Sequence, residues 1–153
     1  MKILFILLLL LIPSLSSESI FKYKWQTKEI TSIVEREARK HNLNPRLVYN
    51  LIEAESSGRV KAKHPLIRIR VKGKLIKTRA VGLLGVVKEF HWKGTKAQLE
   101  KPANNIKTGL KVLSDCVRLS KGNIIKGLMR YNGQVVNINY NYVNKILRGV
   151  KKI

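Results

Sequence analysis

Residues 47–58 read LVYNLIEAESSG, and their periodicity decides how the chain is built. Leu47, Val48, Leu51 and Ile52 mark one face of a helix with 3.6 residues per turn. The next position on that stripe is Glu55, four after Leu51 and eight after Leu47. A carboxyl held against apolar surface has its charged form disfavoured and its pKa raised. It can then keep a proton near neutral pH, as a general acid must. Glu53 lies about 200° away around the same helix and is expected to face solvent. The two glutamates are therefore not a pair. Taken alone, Glu55 can also be read as a helix-end carboxylate that reaches into water.

Outward from this helix, Asn44 is placed to cap it and Pro45 to start it, with Gly58 as its stop. An earlier helix is expected from about Thr27 to His41, with Ile30, Ile33, Val34 and Ala38 on its inner face. Between Leu66 and Thr78 the period falls to two. Ile67, Ile69 and Val71 alternate with Arg68, Arg70 and Lys72, Gly73 allows a turn, and residues 74–77 return. The pattern reads as a β-hairpin with a basic outer face, whose charges are by default solvated edge charges. A loop or short helix follows at AVGLLGV, residues 80–86. A long helix is expected over Asn104–Ser120, with Ile106, Leu110, Leu113 and Val117 in register. Gly109 within it points to close helix packing. Ile124–Tyr131 forms a short helix with Ile125, Leu128 and Met129 inward, Asn132–Gly133 closes it, and Tyr140–Leu147 is the last helix. The expected fold class is mainly α (α+β): a helical domain with one small β-hairpin.

The N-terminus carries a single Lys2, ten unbroken apolar residues from Ile3 to Ile12, then Pro13 and small residues. Ten residues are too few to span a bilayer. Residues 1–17 are expected to be a secretory signal peptide, which implies export to the periplasm or exterior. The retained alternative is a short anchor. Residues 18–26 are expected to be a loosely packed arm, and 27–153 the functional domain. The lone Cys116 cannot form an internal disulfide, and its position inside a helix suggests a core residue.

The 153-residue chain carries 31 Lys and Arg against 9 Asp and Glu, a formal charge of +22. Such a surface seeks polyanions. For an exported protein these are carboxylate-bearing cell-wall polymer or an anionic membrane surface. No specific nucleic-acid binding is expected, because the basic hairpin lacks aromatic stacking residues.

The chain has one aspartate, Asp115, and no G-x-S-x-G elbow, so a Ser-His-Asp arrangement has little to draw on. His41, His64 and His91 share no ligand spacing, and there is no aspartate cluster or glycine-rich phosphate loop. No metal and no cofactor is expected. Glycoside hydrolysis ordinarily needs two carboxylates, and only Glu89 is available as a second.

Four segments, in order, resemble the soluble lytic transglycosylases of the lysozyme-like superfamily, which cleave peptidoglycan. They are Glu55-Ser56-Ser57-Gly58, the loop Ala80-Val81-Gly82-Leu83-Leu84-Gly85-Val86, Asn105-Ile106-Lys107-Thr108-Gly109, and Gly127-Leu128-Met129-Arg130-Tyr131-Asn132-Gly133. The resemblance implies a lysozyme-like fold and makes Glu55 the sole acid/base. Glu55 would protonate the oxygen between N-acetylmuramic acid and N-acetylglucosamine. It would then accept the proton of the C6 hydroxyl, which closes a 1,6-anhydro ring and replaces an activated water. Tyr131 would lie near Glu55 and help set its protonation or steady the oxocarbenium-like state. Ser56 would help orient the sugar or Glu55, Asn132 would hydrogen-bond the loop or the glycan, and Gly82, Leu83, Leu84 and Gly85 would meet the glycan. Leu84-Gly85 stands where the family has Met-Gln, so an apolar wall is kept and a side-chain amide is lost. By analogy, the partner is peptidoglycan and a secretion, conjugation or pilus apparatus. A hydrolytic muramidase and a non-catalytic, basic wall-binding or assembly protein are the competing readings.

Overall fold

Helix α1 (Lys28–Lys40) opens on Thr27, whose side chain accepts a bond from the Ile30 amide. The computed structural model describes residues 23–133 and 140–150. The expected signal peptide and most of the arm lie outside these residues. Helix α2 (Pro45–Ser56) starts as the sequence dictates. Pro45 occupies the first turn, and the Asn44 side chain accepts from the Arg46 amide at 2.8 Å. The helix stops where Ser57 takes a left-handed conformation. Strands β1 (Lys63–Val71) and β2 (Lys74–Val81) form an antiparallel pair that turns at Lys72–Gly73. The hairpin is thus longer at both ends than the alternation suggested. Two short helices follow, α3 (Lys88–His91) and α4 (Lys96–Leu99). The long helix α5 (Pro102–Leu119) leads to α6 (Ile124–Tyr131) and α7 (Tyr140–Leu147). Seven helices with one small two-stranded sheet among the described residues make this a mainly α fold, consistent with the lysozyme-like architecture that the resemblance implies.

The core forms where the apolar stripes meet. Val34 and Ala38 of α1, Val48, Leu51 and Ile52 of α2, Ile106, Leu110 and Leu113 of α5, Leu128 of α6 and Ile146 of α7 are buried together. Burying a side chain of this kind contributes about 1.5–3 kcal/mol. Gly109 lets α5 approach the loop after β2: a Cβ there would lie 2.7 Å from Leu84 Cβ. The close approach expected of this glycine is present, but its neighbour is the loop and not a second helix.

Several local expectations are corrected. Residues 23–26 are not loosely packed. Tyr23 and Trp25 stack at 5.2 Å between ring centroids, and Tyr23 donates to buried Asn50. Glu53 does not simply face solvent; it is half-buried and accepts from the Trp25 indole at 2.6 Å. Of segment 80–86, Ala80 and Val81 end β2 and residues 82–85 form turns, which decides for the loop alternative, with Gly82 and Gly85 at positive φ. Ile125 is exposed, and buried Gly127 takes the inward position on α6, where its Cα packs against Val117. Cys116 and Val117 are half-buried rather than in the core proper, because they sit toward the edge of α5.

Candidate active site

Glu55 occupies the last turn of α2, on the stripe whose other members, Leu47, Val48, Leu51 and Ile52, are buried. Its carboxyl is pulled in two directions. Burial is the larger effect and raises its pKa. A hydrogen bond from the Tyr142 hydroxyl and the nearby His64 imidazole lower it, and the net result is a raised value. The Tyr142 bond is short, 2.6 Å to Oε1. Burial and the Glu55 charge together keep the Tyr142 phenol protonated far beyond its ordinary range. Tyr142 therefore acts as a fixed donor to the carboxylate.

Two tethers set this geometry. Asn50, one turn before Glu55 on α2, is buried and donates to the Ile146 carbonyl at 2.6 Å and the Arg148 carbonyl at 3.0 Å. These bonds join α2 to the end of α7, the helix that carries Tyr142. On the other side stands the loop between β2 and α3. Asn105 of α5 is fully buried, accepts from the Leu84 amide at 2.8 Å and donates to the Val81 carbonyl at 2.9 Å. The Tyr131 hydroxyl donates to the Leu84 carbonyl at 2.5 Å. The loop backbone is thus pinned from two helices.

Glycine is required at two points of this loop. A Cβ on Gly82 would fall 2.2 Å from the Asn105 amide nitrogen, and the residue has φ +79. A Cβ on Gly85 would lie 3.0 Å from both Glu55 Oε2 and His64 Cε1, at φ +57. Those contacts put the imidazole within about 6 Å of the carboxylate, a range in which charges influence one another. His64 Nε2 also lies 3.3 Å from the Gly82 carbonyl.

The positions singled out in the sequence separate into three groups. Glu55, Gly85 and Tyr131 come together at one end of α2, although the Tyr131 hydroxyl binds the loop and not the carboxylate. Ser56, Leu83 and Leu84 are buried, so their side chains do not line an open groove. The Ser56 hydroxyl donates to the Ile52 carbonyl one turn back, and the two leucine side chains are fully enclosed in the core. Gly82 is buried too, and its amide is bonded to the Ala62 carbonyl. Asn132 is exposed at the C-cap of α6. Glu89 is exposed on α3 and accepts from Thr78 of the hairpin, so its partner is not the Glu55 site.

Sequence reasoning missed Tyr142, His64, Asn50 and the double bond of Asn105. Tyr142 carried one usable signal: with Val143 and Ile146 it lies on the inward face of α7. The other three are single polar residues whose partners are 18 to 98 residues away in the chain.

A Cys-His catalytic pair is not supported by Cys116. It shares a surface hollow with His91 and Phe90, but burial raises its thiol pKa and lowers that of His91, so both neutral forms are favoured.

The arrangement as a whole is a protonatable carboxyl, shielded on one side by the core and fixed by a phenol, opening beside a pinned backbone loop. That suits general-acid attack on a glycosidic oxygen. No curated protein matches the chain. A family model described as the transglycosylase SLT domain matches residues 32–144, which takes in Glu55, the loop, Asn105, Tyr131 and Tyr142. The chain belongs to the SLT transglycosylase family, the lytic transglycosylases of the lysozyme-like superfamily.

Proposed function

We propose that this protein cleaves the bond between N-acetylmuramic acid and N-acetylglucosamine in peptidoglycan with one acid/base, Glu55, and releases 1,6-anhydro-muramic ends. The observation that carries the proposal is the environment of Glu55. Burial favours its protonated form, while the Tyr142 hydroxyl at 2.6 Å is poised to receive the carboxylate. Burial holds the proton ready for the glycosidic oxygen. The Tyr142 hydroxyl stabilises the charge once the proton has gone. The carboxylate then accepts the C6 hydroxyl proton as that oxygen closes on C1.

Tyr131, with its phenol on the Leu84 carbonyl, holds the loop against the carboxyl. Its own proton is retained, because burial and the neighbouring Glu55 charge push its pKa well up. Gly85, whose Cα borders the carboxyl, and exposed Asn132 are the positions proposed to face the sugar. The absence of a side chain at Gly85 leaves His64 as the polar group across from Glu55. The apolar N-terminal run supports export, with action in the periplasm or outside the cell.

Purified sacculi digested by the wild-type protein should yield muropeptides lighter by one water than those of a hydrolase. Glu55→Gln should keep the fold and release nothing. Reducing ends in the wild-type digest would replace this reading with a muramidase. Binding without release would replace it with a wall-binding protein.

A further inference from the structure

The hairpin carries an arrangement that its own stability does not explain. From Ser56 to Lys88 the chain contains ten Lys and Arg and no Asp or Glu. The strand register places Arg68 opposite Lys77, Arg70 opposite Leu75 and Leu66 opposite Arg79. Residues directly opposite share a face of the sheet. Arg68, Arg70, Lys77 and Arg79 therefore form one cationic face, and all four are exposed. None of the ion pairs among the described residues involves them. Like charges set directly across a ladder destabilise it, and a two-stranded hairpin is marginal to begin with. Nearly the whole hairpin is exposed or half-buried, with only Val81 at its base enclosed. A local rule broken with no compensation nearby marks a functional surface.

The position of the face shows what it serves. Strand β1 begins at Lys63 and His64, beside the Glu55 carboxyl, and β2 ends at Val81, which Asn105 holds at the start of the active-site loop. Arg79 links the two regions, since its guanidinium donates to the His64 carbonyl at 3.1 Å. The cations thus start at the edge of the site and run outward along the strands for about 13 Å from the Leu66–Arg79 pair to the Arg70–Leu75 pair, at ~3.3 Å per residue.

We infer that the Arg68–Arg70–Lys77–Arg79 face binds carboxylates borne by the substrate strand, the peptide side groups of peptidoglycan next to the glycosidic bond held at Glu55. This rests on the reading given under Proposed function and adds to it a determinant of substrate class: the protein selects glycan that carries its anionic peptides. Guanidinium groups suit the task because their planar fork matches a carboxylate. At an exposed surface such contacts act mainly on affinity and encounter rate, and they weaken with salt. Chemistry at Glu55 should be untouched.

The test compares the full-length chain with the triple variant Arg68→Gln, Arg70→Gln, Lys77→Gln. Arg79 is left in place because it also braces His64. Binding is measured by co-sedimentation in a Glu55→Gln background, on purified sacculi and on sacculi stripped of their peptides by an amidase. The parent should bind intact sacculi about tenfold more tightly than stripped ones, with the gap closing at high salt. The triple variant should bind both alike, at the stripped level. Equal binding of the parent to both substrates would overturn the inference, as would an unchanged triple variant. So would a triple variant that loses binding to phosphatidylglycerol vesicles while keeping its hold on intact sacculi, which would make the face a membrane contact. With Glu55 restored, the triple variant should cleave peptide-free glycan chains at the parent rate. A loss there would overturn the separation of binding from chemistry. If the parent releases no anhydro-muramic ends from intact sacculi, the catalytic reading fails, and the binding comparison still decides the role of the face.

Discussion

Replacing Tyr142 by Phe removes one oxygen atom and, with it, the hydrogen bond of 2.6 Å to Glu55 Oε1. That bond favours the ionised carboxyl and opposes the larger effect of burial. A hydrogen bond to a charged group contributes about 1.5–3 kcal/mol, and 1.36 kcal/mol corresponds to one pH unit of titration. Taking the low end, because water can partly replace the phenol, the titration of Glu55 should move upward by about one pH unit. The sign follows directly: with less support for the carboxylate, the proton is held to higher pH. Because Glu55 must be protonated to start the reaction, the alkaline limb of kcat/KM moves in the same direction. The maximum rate should fall by about fourfold, since the carboxylate is only partly formed when the glycosidic bond breaks. The assay is kcat/KM against pH on soluble glycan chains for wild type and Tyr142→Phe, with melting curves to show that the fold is kept. A limb that stays in place or moves to lower pH would refute the role assigned to Tyr142.

Other outcomes follow from the same geometry. Glu55→Gln should melt above wild type at pH 8, and the difference should vanish below the ordinary carboxylate range. The raised folded pKa means that the wild type loses stability as pH climbs from the ordinary carboxylate range up to the raised value, by about 1.36 kcal/mol per unit, and levels off above it; a wild type that melts higher at pH 8 would contradict burial as the dominant cause. Asn105→Ala should leave the Leu84 amide unpaired in the interior and remove one of the two donors to the Val81 carbonyl, which keeps its bond from the Val86 amide, at a cost of about 2 kcal/mol, visible as a fall in denaturation midpoint without a change in slope. Gly85→Ala should lower kcat/KM at least tenfold with a stability loss of about 1–2 kcal/mol, because its Cβ would press on Glu55 and His64 from a left-handed backbone. His64→Ala should shift the alkaline limb upward as Tyr142→Phe does, though less, since the imidazole is the smaller of the two influences that lower the Glu55 pKa.

The sequence disclosed those parts of the molecule that local rules govern. Asn44 and Pro45 start α2 as capping chemistry requires, α6 and α7 have the bounds that their periodicity gave, and Gly109 sits against Leu84 as an interior glycine should. Glu55 was visible because a single acid interrupts an apolar stripe. What stayed hidden depends on which side chains meet across the fold. Tyr142 is 87 residues from Glu55, and the Asn50 bonds to the end of α7, with Val143 and Ile146 packed in the shared core, bring the two together. Leu83 and Leu84 looked like groove residues because they belong to the loop, yet pinning by Asn105 and Tyr131 turns their side chains into the core. Ile125 illustrates the opposite error. It satisfies the helical period, but buried Gly127 is the residue set close against Val117 of α5, and Ile125 is left exposed. Glu53 was assigned to solvent by geometry alone, and the Trp25 indole, arriving from 28 residues upstream, half covers it.

The central claim is that one carboxyl, working with the substrate's own hydroxyl, completes the cleavage without an activated water. Digestion of sacculi in water enriched with oxygen-18 tests it most directly. The account predicts muramic ends that carry no label and lack one water. One oxygen-18 atom gained at C1 for each bond broken would contradict it.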